Sequence, residues 1–316
     1  IMSSDWSSDV CSSDLHRPVV TRTARAKINL ALAVDAPTGP DGLHPVASWM
    51  ARLDLADDLE LTRLEVGYLS RYAIIWKNDA PKPTPIDWSI TKDLAVRAHL
   101  LLEERTGSPL PVQMKLEKRI PVGGGLGGGS ADAAAVLLAT NELFELGLAP
   151  EELARLGATL GSDVPYCLLE GPALVEGLGE EVEPTPAVSA FAVLVFPDFG
   201  CPTGEVYRAF DAAPARAAFA PGRVRDLARA GGTPDPRGLF NDLAEPARTV
   251  RPELGELIDA IEDDMTEHPA HVTGSGSTLF VLCPAGRREA RRLAADIRSR
   301  ADGPFGPVAA VPAVIG

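Results

Sequence analysis

Residues 121–132 read Pro-Val-Gly-Gly-Gly-Leu-Gly-Gly-Gly-Ser-Ala-Asp, with six glycines in the seven positions 123–129, directly ahead of an alanine-rich segment. Without Cβ atoms, successive N–H groups can turn toward one point and a bulky anion can approach them. A helix that follows adds unpaired N–H groups and the positive end of its dipole, so a phosphate chain is the natural occupant. A purely structural turn gains nothing from so many glycines, since each loses more chain entropy on folding than any other residue. Far upstream, Lys27 and Asn29 alternate with Ile28 and Leu30. Strand periodicity puts the two polar side chains on one face, where they can share a site. The chain has only six lysines against 24 arginines, so a lysine within an apolar strand points to a need for a compact ammonium, although a lysine snorkelling from a strand end has the same pattern. Asp163 lies between a Gly-Ser turn and Val164-Pro165; there a carboxylate can take up a proton or merely cap the turn.

Two phosphate-binding patterns fail. Gly123, Gly125 and Gly128 match G-x-G-x-x-G, but a dinucleotide fold wants an acidic residue at a second strand end ~20 residues on. That distance falls inside the same predicted helix, where Glu142 and Glu145 are poor ribose ligands. A Walker loop ends in G-K-[ST], and no lysine follows these glycines. The stretch P-x-x-x-G-L-G-G-G-S-A-D-A instead resembles the P-x-x-x-G-L-x-S-S-[AS] signature of the GHMP small-molecule kinases, which include galactokinase, homoserine kinase, mevalonate kinase and phosphomevalonate kinase. Five further motifs stand in the order found in one branch of that family: Ala24-Arg-Ala-Lys-Ile-Asn-Leu30, Asp41-Gly-Leu-His44, Leu160-Gly-Ser-Asp-Val-Pro165, Phe240-Asn-Asp242 and Val272-Thr-Gly-Ser-Gly276.

The resemblance implies an α+β, two-domain GHMP kinase architecture, with a ribosomal S5 domain 2-like N-terminal domain and a ferredoxin-like C-terminal domain. It implies ATP, with Mg2+ carried by the nucleotide, held by Pro121, Val122, Gly123, Gly124, Gly125, Leu126, Gly127, Gly128, Gly129, Ser130 and Ala131. Ser130 takes the place of a serine that contributes to nucleotide-metal binding, and also suits a helix N-cap. Phosphoryl transfer asks the protein chiefly to position reactants and stabilise charge. By resemblance, Asp163 is the general base for an acceptor hydroxyl and Lys27 stabilises the developing alkoxide. The resemblance further implies an acceptor that carries a cytidine diphosphate group and meets Asn29, His44, Thr203, Gly274, Ser275 and Gly276, the last three forming a turn that closes over the phosphates or the acceptor. His44 also suits an ordinary turn, and Gly274 to Gly276 a plain hairpin. Where the family stacks an aromatic residue on the base, this chain has Leu43, which lacks the stacking contribution; Phe199 or Tyr207 is expected to supply it from the other side.

These residues need elements to hold them. Val19–Val34 alternates and then becomes wholly apolar, as a strand buried more deeply toward its end. Leu53–Leu64 alternates again as a half-exposed strand, whereas Tyr68–Asp87, with Pro81, Pro83 and Pro85, reads as a loop. A helix capped by Ser89 or Thr91, with Asp93 in its first turn, ends at Gly107. Val112–Glu117 alternates and aims the glycine loop, Ser130–Leu146 forms the helix behind it, and another helix runs from Pro150 to about Gly161. Beyond an acidic, proline-bearing linker or hairpin near residue 178 come a strand at Phe191–Phe196, helices at Val206–Asp211 and Leu254–Asp264, a strand at Ser277–Leu282, a helix at Arg287–Arg300 and a final strand near Val308–Val314. Mixed strands and helices suggest α+β layers.

At 316 residues the chain suits two domains at roughly 100–200 residues each. These are expected at 17–178, holding ATP, and 179–316, with the acceptor in the cleft between them. Residues 1–16 carry a Ser-Ser-Asp near-repeat with no strand or helix period and are expected to be a non-native or disordered leader. The balance of 44 acidic against 30 basic residues, a formal charge of −14, repels nucleic acid and anionic lipid. The longest apolar run, Ala187–Phe196, is too short for a membrane span. Cys11, Cys167, Cys201 and Cys283 lie far apart, as free thiols of a cytoplasmic protein. His268 and His271 have a metal-like spacing but lack a third ligand nearby, so both read as loop residues and no metal site is expected in the protein. The oligomeric expectation is a monomer or homodimer.

Overall fold

The computed structural model describes residues 17–39, 41–214, 218–300 and 308–316. The expected leader at 1–16, with Cys11, lies outside them. Two long antiparallel strands, β1 (Val19–Val34) and β2 (Val46–Arg63), form the spine. β2 starts seven residues earlier than the expected Leu53, because Ala47–Leu53 is buried on both faces and shows no alternation. β3 (Arg71–Trp76) corrects the reading of 68–87 as a loop. It is an edge strand parallel to β4 (Val112–Lys118); Tyr72 and Ile74 pack on the core, and the prolines fall after the strand ends.

The first helix, α1 (Leu94–Thr106), is capped by Asp93, which accepts from the Ala95 amide at 2.9 Å. Ser89 and Thr91 instead belong to a short 3-10 turn around Ile90–Lys92. Gly107, with φ +64°, closes the helix. α2 (Gly128–Leu143) starts two residues before Ser130, and its N-cap is Gly127, so Ser130 does not cap it. α1 and α2, with α3 (Pro150–Leu160) and the short α4 (Val164–Cys167), enclose one apolar core against the sheet. The acidic stretch near 178 is a hairpin, β5 (Ala173–Gly177) and β6 (Glu181–Pro184).

From β7 (Ala190–Phe196) onward the chain runs strand, helices, strand, strand, helix, strand. The helices α5 (Thr203–Ala212), α6 (Pro221–Ala230), α7 (Ala244–Val250) and α8 (Pro252–Asp264) lead, past the two-residue β8 (Phe240–Asn241), to β9 (Ala270–Val272) and β10 (Leu279–Leu282). Then come α9 (Arg287–Ser299) and β11 (Ala309–Ile315). The spatial order β11-β7-β10-β9 is the ferredoxin-like arrangement. It joins the spine where Ile315 pairs with Leu53, and β8 pairs in parallel with β1. His271 lies within β9 rather than a loop; its Nε2 donates to Pro236 O at 2.9 Å and its ring packs against Phe280. His268 does lie outside any strand or helix, beside Glu289. Cys167, Cys201 and Cys283 are buried free thiols.

Candidate active site

β1 brings Lys27 and Asn29 to one point: Lys27 Nζ donates to Asn29 Oδ1 at 2.8 Å. Asn29 Nδ2 donates to Ser48 Oγ at 2.8 Å, and Ser48 passes a hydrogen bond to Ala31 O at 2.9 Å. This chain of donors fixes both ends of the amide. Asp163, the N-cap of α4, lies with Oδ2 3.4 Å from Lys27 Nζ. The lysine side chain is 5% exposed and the carboxylate 27%, so the pair sits at the floor of an opening.

The glycine loop is folded onto that pair. Gly123, Gly125 and Gly127 have φ of +72°, +77° and +65°, where L side chains are strained. A Cβ at Gly127 would stand 2.9 Å from Lys27 Cγ, and one at Gly125 only 2.2 Å from Thr273 O. Lys27 N donates to Leu126 O at 2.9 Å, so the loop and β1 are directly bonded. The first intrahelical bond of α2 runs from Ala131 N to Gly127 O. The amides of Gly128, Gly129 and Ser130 therefore stand without intrahelical partners at the head of a sixteen-residue helix.

A buried ion cluster, which sequence reasoning missed, holds both flanks of the loop. Lys118, at the end of β4, pairs with Asp57 of β2 at 2.7 Å and with Asp132 of α2. Asp57 Oδ1 accepts from the amides of Arg119 and Ile120, the latter at 2.8 Å. Against the opposing effect of burial, the two carboxylates hold the Lys118 ammonium above the usual lysine value. Complete burial, with Asp57 nearby, raises the Asp132 carboxyl despite Lys118. The available signal was a lysine closing an alternating strand just before the loop.

The second glycine turn, between β9 and β10, meets the first. Thr278 N donates to Gly124 O at 3.3 Å, and Asn29 N to Thr273 Oγ1 at 3.1 Å. Asn241 Nδ2 donates to both Val272 O and Gly274 O at 2.8 Å, and Asp242 Oδ2 accepts from Val34 N at 3.0 Å. The Phe240-Asn-Asp242 motif thus ties this turn to β1. Ser275 Oγ lies 2.9 Å from Thr203 Oγ1.

A cavity of about 880 Å³ opens over these groups, bordered by Lys27, Asn29, Asp163, Thr203, Gly274 and Ser275. His44 lies at its far side. Its Nδ1–H donates to Asp35 O at 2.9 Å, which leaves Nε2 toward Asp211, 3.4 Å away. The Tyr207 ring packs against His44, tilted by 45° with 4.8 Å between centroids; burial, with Asp163 nearby, pushes its hydroxyl up to about 12. Phe199 instead packs into the β7–β10 core. Leu43 borders the cavity and is 52% exposed. Of the glycine loop, Gly125 and Gly127 border the cavity; Pro121, Leu126 and Ala131 are buried in the core, and Val122, Gly123 and Gly129 face outward. Gly276 lies behind the turn, against Val272 and Cys201. Among the described residues no cluster of three His, Cys, Asp or Glu side chains could hold a metal ion.

Loop, helix N-terminus, ammonium and carboxylate around one cavity define a kinase of the GHMP class. The GHMP kinases N terminal domain model matches residues 93–171. The chain is 36% identical over 303 residues to the 4-diphosphocytidyl-2-C-methyl-D-erythritol kinase of Caulobacter sp. (strain K31), covering 89% of this chain and 98% of that one. It is 38% identical over 287 residues to that of Moorella thermoacetica, covering 89% and 95%. A crystal structure of a 4-(cytidine 5'-diphospho)-2C-methyl-D-erythritol kinase superposes with a TM-score of 0.71 at 34% identity, over 94% of this chain and 99% of that one. The mevalonate kinase of Methanococcus jannaschii, 12% identical, shares the fold with a TM-score of 0.65 over 96% of this chain and 99% of that one. The chain belongs to the family of 4-diphosphocytidyl-2-C-methyl-D-erythritol kinases and is an enzyme. Among the described residues no helix is long and apolar enough to cross a membrane.

Proposed function

We propose that this kinase transfers the γ-phosphoryl group of ATP to the 2-hydroxyl of 4-diphosphocytidyl-2-C-methyl-D-erythritol, in the non-mevalonate route to isoprenoid precursors. The observation that carries the reading is the 3.4 Å approach of Lys27 to Asp163 beneath a glycine loop, at the floor of one cavity. Residues 17–178 hold ATP, and the acceptor lies in the cleft between them and residues 179–316, where the reaction takes place. Free thiols at Cys167, Cys201 and Cys283 suit a reducing cytoplasm.

The amides at the head of α2 bind the phosphate chain and balance its charge. Asp163 accepts the proton of the attacking hydroxyl while the new O–P bond forms and the bond from the γ-phosphorus to the β,γ-bridging oxygen breaks, ADP leaving with that oxygen; Lys27 stabilises negative charge on the attacking oxygen. Asn29 orients the ammonium through its 2.8 Å contact. Thr203, Gly274 and Ser275 line the acceptor path, His44 reads the cytosine edge by hydrogen bonds, and Tyr207 supplies the ring that Leu43 cannot. With one hydroxyl, Ser130, and one carboxylate, Asp163, flanking the head of α2, the donors suit a Mg2+ ion brought by the nucleotide rather than one caged by protein. Such an ion neutralises phosphate charge.

Asp163→Asn and Lys27→Ala are expected to abolish turnover while ATP binding, measured by calorimetry, is largely kept. Unchanged turnover in either variant removes the mechanism.

A further inference from the structure

Arg52 of β2 is the cross-strand partner of Lys27. Opposed residues of an antiparallel pair share a face, and like charges placed so destabilise the pair. Here the two cations are drawn to different oxygens. Lys27 turns to Asn29 and Asp163. Arg52 Nη1 donates to Arg25 O at 2.9 Å, and Nη2 to Cys167 O at 2.8 Å and Leu169 O at 2.7 Å, with Tyr166 O at 3.4 Å. Its guanidinium lies 4.8 Å from the centroid of the Tyr166 ring. Arg52 is 7% exposed, and no carboxylate among the described residues pairs with it. A guanidinium kept out of water without a counter-charge is costly, and the planar fork that matches several carbonyls at once is what offsets that cost here.

Except for Arg25 O on β1, those carbonyls belong to the end of α4 and the turn after it, where helical amides run out; Tyr166 O also accepts from Leu169 N at 3.0 Å. The other end of the same four-residue helix is Asp163. Asp163 makes no side-chain capping bond of its own, so the place of its carboxylate follows the place of α4. A register pair on β1 and β2 therefore addresses both sides of the reacting centre: Lys27 reaches the carboxylate directly, and Arg52 holds the helix that carries it.

We propose that Arg52 is a positioning residue for Asp163, setting the carboxylate's distance from Lys27 and from the acceptor hydroxyl by anchoring α4. The proposal rests on the reading of Asp163 as the base. Arg52→Met removes the anchor, and Arg52→Lys keeps a cation but loses the fork. Misplacement of a reacting group by about 1 Å can cost on the order of 100-fold. In Arg52→Met, kcat is expected to fall ~30- to 100-fold while KM for ATP and for the acceptor stay within about twofold, since neither the loop nor the acceptor wall touches Arg52. Arg52→Lys is expected to lose less. Circular dichroism and thermal melting check that both variants fold.

The same substitutions in an Asp163→Asn background separate positioning from general loss of structure. If Arg52 acts through Asp163, adding Arg52→Met causes no further fall in the residual rate. An equal fold-loss in both backgrounds, a KM for ATP that rises as much as kcat falls, or failure of both Arg52 variants to fold overturns the proposal. Full turnover by Asp163→Asn alone overturns the base assignment, and this proposal with it; a strongly slowed Asp163→Asn whose residual single-turnover rate falls by the same factor again on adding Arg52→Met overturns this proposal alone.

Discussion

A methyl group added to Gly127 would stand 2.9 Å from Cγ of Lys27 and 3.5 Å from Oδ2 of Asp163. The glycine loop and the proposed reacting pair are thus in van der Waals register, with no room between them for even the smallest side chain. Gly127→Ala also meets a φ of +65°, which costs an L residue roughly 1–2 kcal/mol. Its melting point should drop by several degrees, and kcat/KM for ATP by more than the same change at Gly123, where nothing lies within 4 Å. Equal losses at the two positions would show that the contact with Lys27 is unimportant.

The Lys118 cluster should carry stability as well as loop geometry. Removing one partner of a buried ion group leaves the others uncompensated, a loss of about 3–5 kcal/mol. Lys118→Met leaves Asp57 and Asp132 facing each other without their shared cation. Urea titration should show a marked fall in midpoint, and Asp132→Asn should be milder because it retains the ion pair to Asp57.

Acceptor recognition should depend on Tyr207. Stacking on an aromatic ring contributes about 1–3 kcal/mol per base. Tyr207→Ala is expected to raise KM for the cytidine-bearing acceptor roughly tenfold or more, with KM for ATP unchanged. Steady-state kinetics with each substrate varied in turn checks this, and an equal effect on both KM values would contradict it.

Stability should weaken below neutral pH. Burial holds His99 and His271 below the ordinary imidazole value of 6.5, against their hydrogen bonds to Leu110 O and Pro236 O. In the neutral His99 ring Nε2–H donates to Leu110 O while Nδ1 accepts from the Tyr72 hydroxyl. The unfolded chain takes up protons as pH falls through 6.5 and the folded chain does not, so the full contribution is present above 6.5 and is lost as pH drops toward the folded values. Between pH 7.5 and 5.5 the urea midpoint should therefore fall. His271→Gln, which keeps a donor for Pro236 O, should flatten that slope; an unchanged slope would exclude His271.

Much of the candidate site's arrangement is legible in the sequence, for physical reasons that differ by residue. Lys27 and Asn29 could be paired because a two-residue period fixes facing, and the bounds of β1 agree with the reading. Glycines before an alanine-rich helix announced free amides at a helix head because few other sequences tolerate that cost. β3 was hidden by the prolines that follow it, and the first third of β2 by burial on both faces. Asp57, Lys118 and Asp132 could not be joined from sequence, since ordinary alternation of charge and apolar residues carries no sign that three charges converge in the interior. Arg52 was invisible for the same reason: its partners are backbone carbonyls, which every residue has.

The hydrogen bond from Asn29 N to Thr273 Oγ1 joins positions 244 residues apart, and the Thr278–Gly124 contact binds the two glycine turns. Contacts of such long sequence separation form late, because chain closure must be completed before they are rewarded. During renaturation from urea the helices α1 and α2 can re-form around their own core while the cavity is still open on one side. Recovered turnover should therefore lag the return of helical signal, making the enzyme's own rate a clock for the last step of its folding.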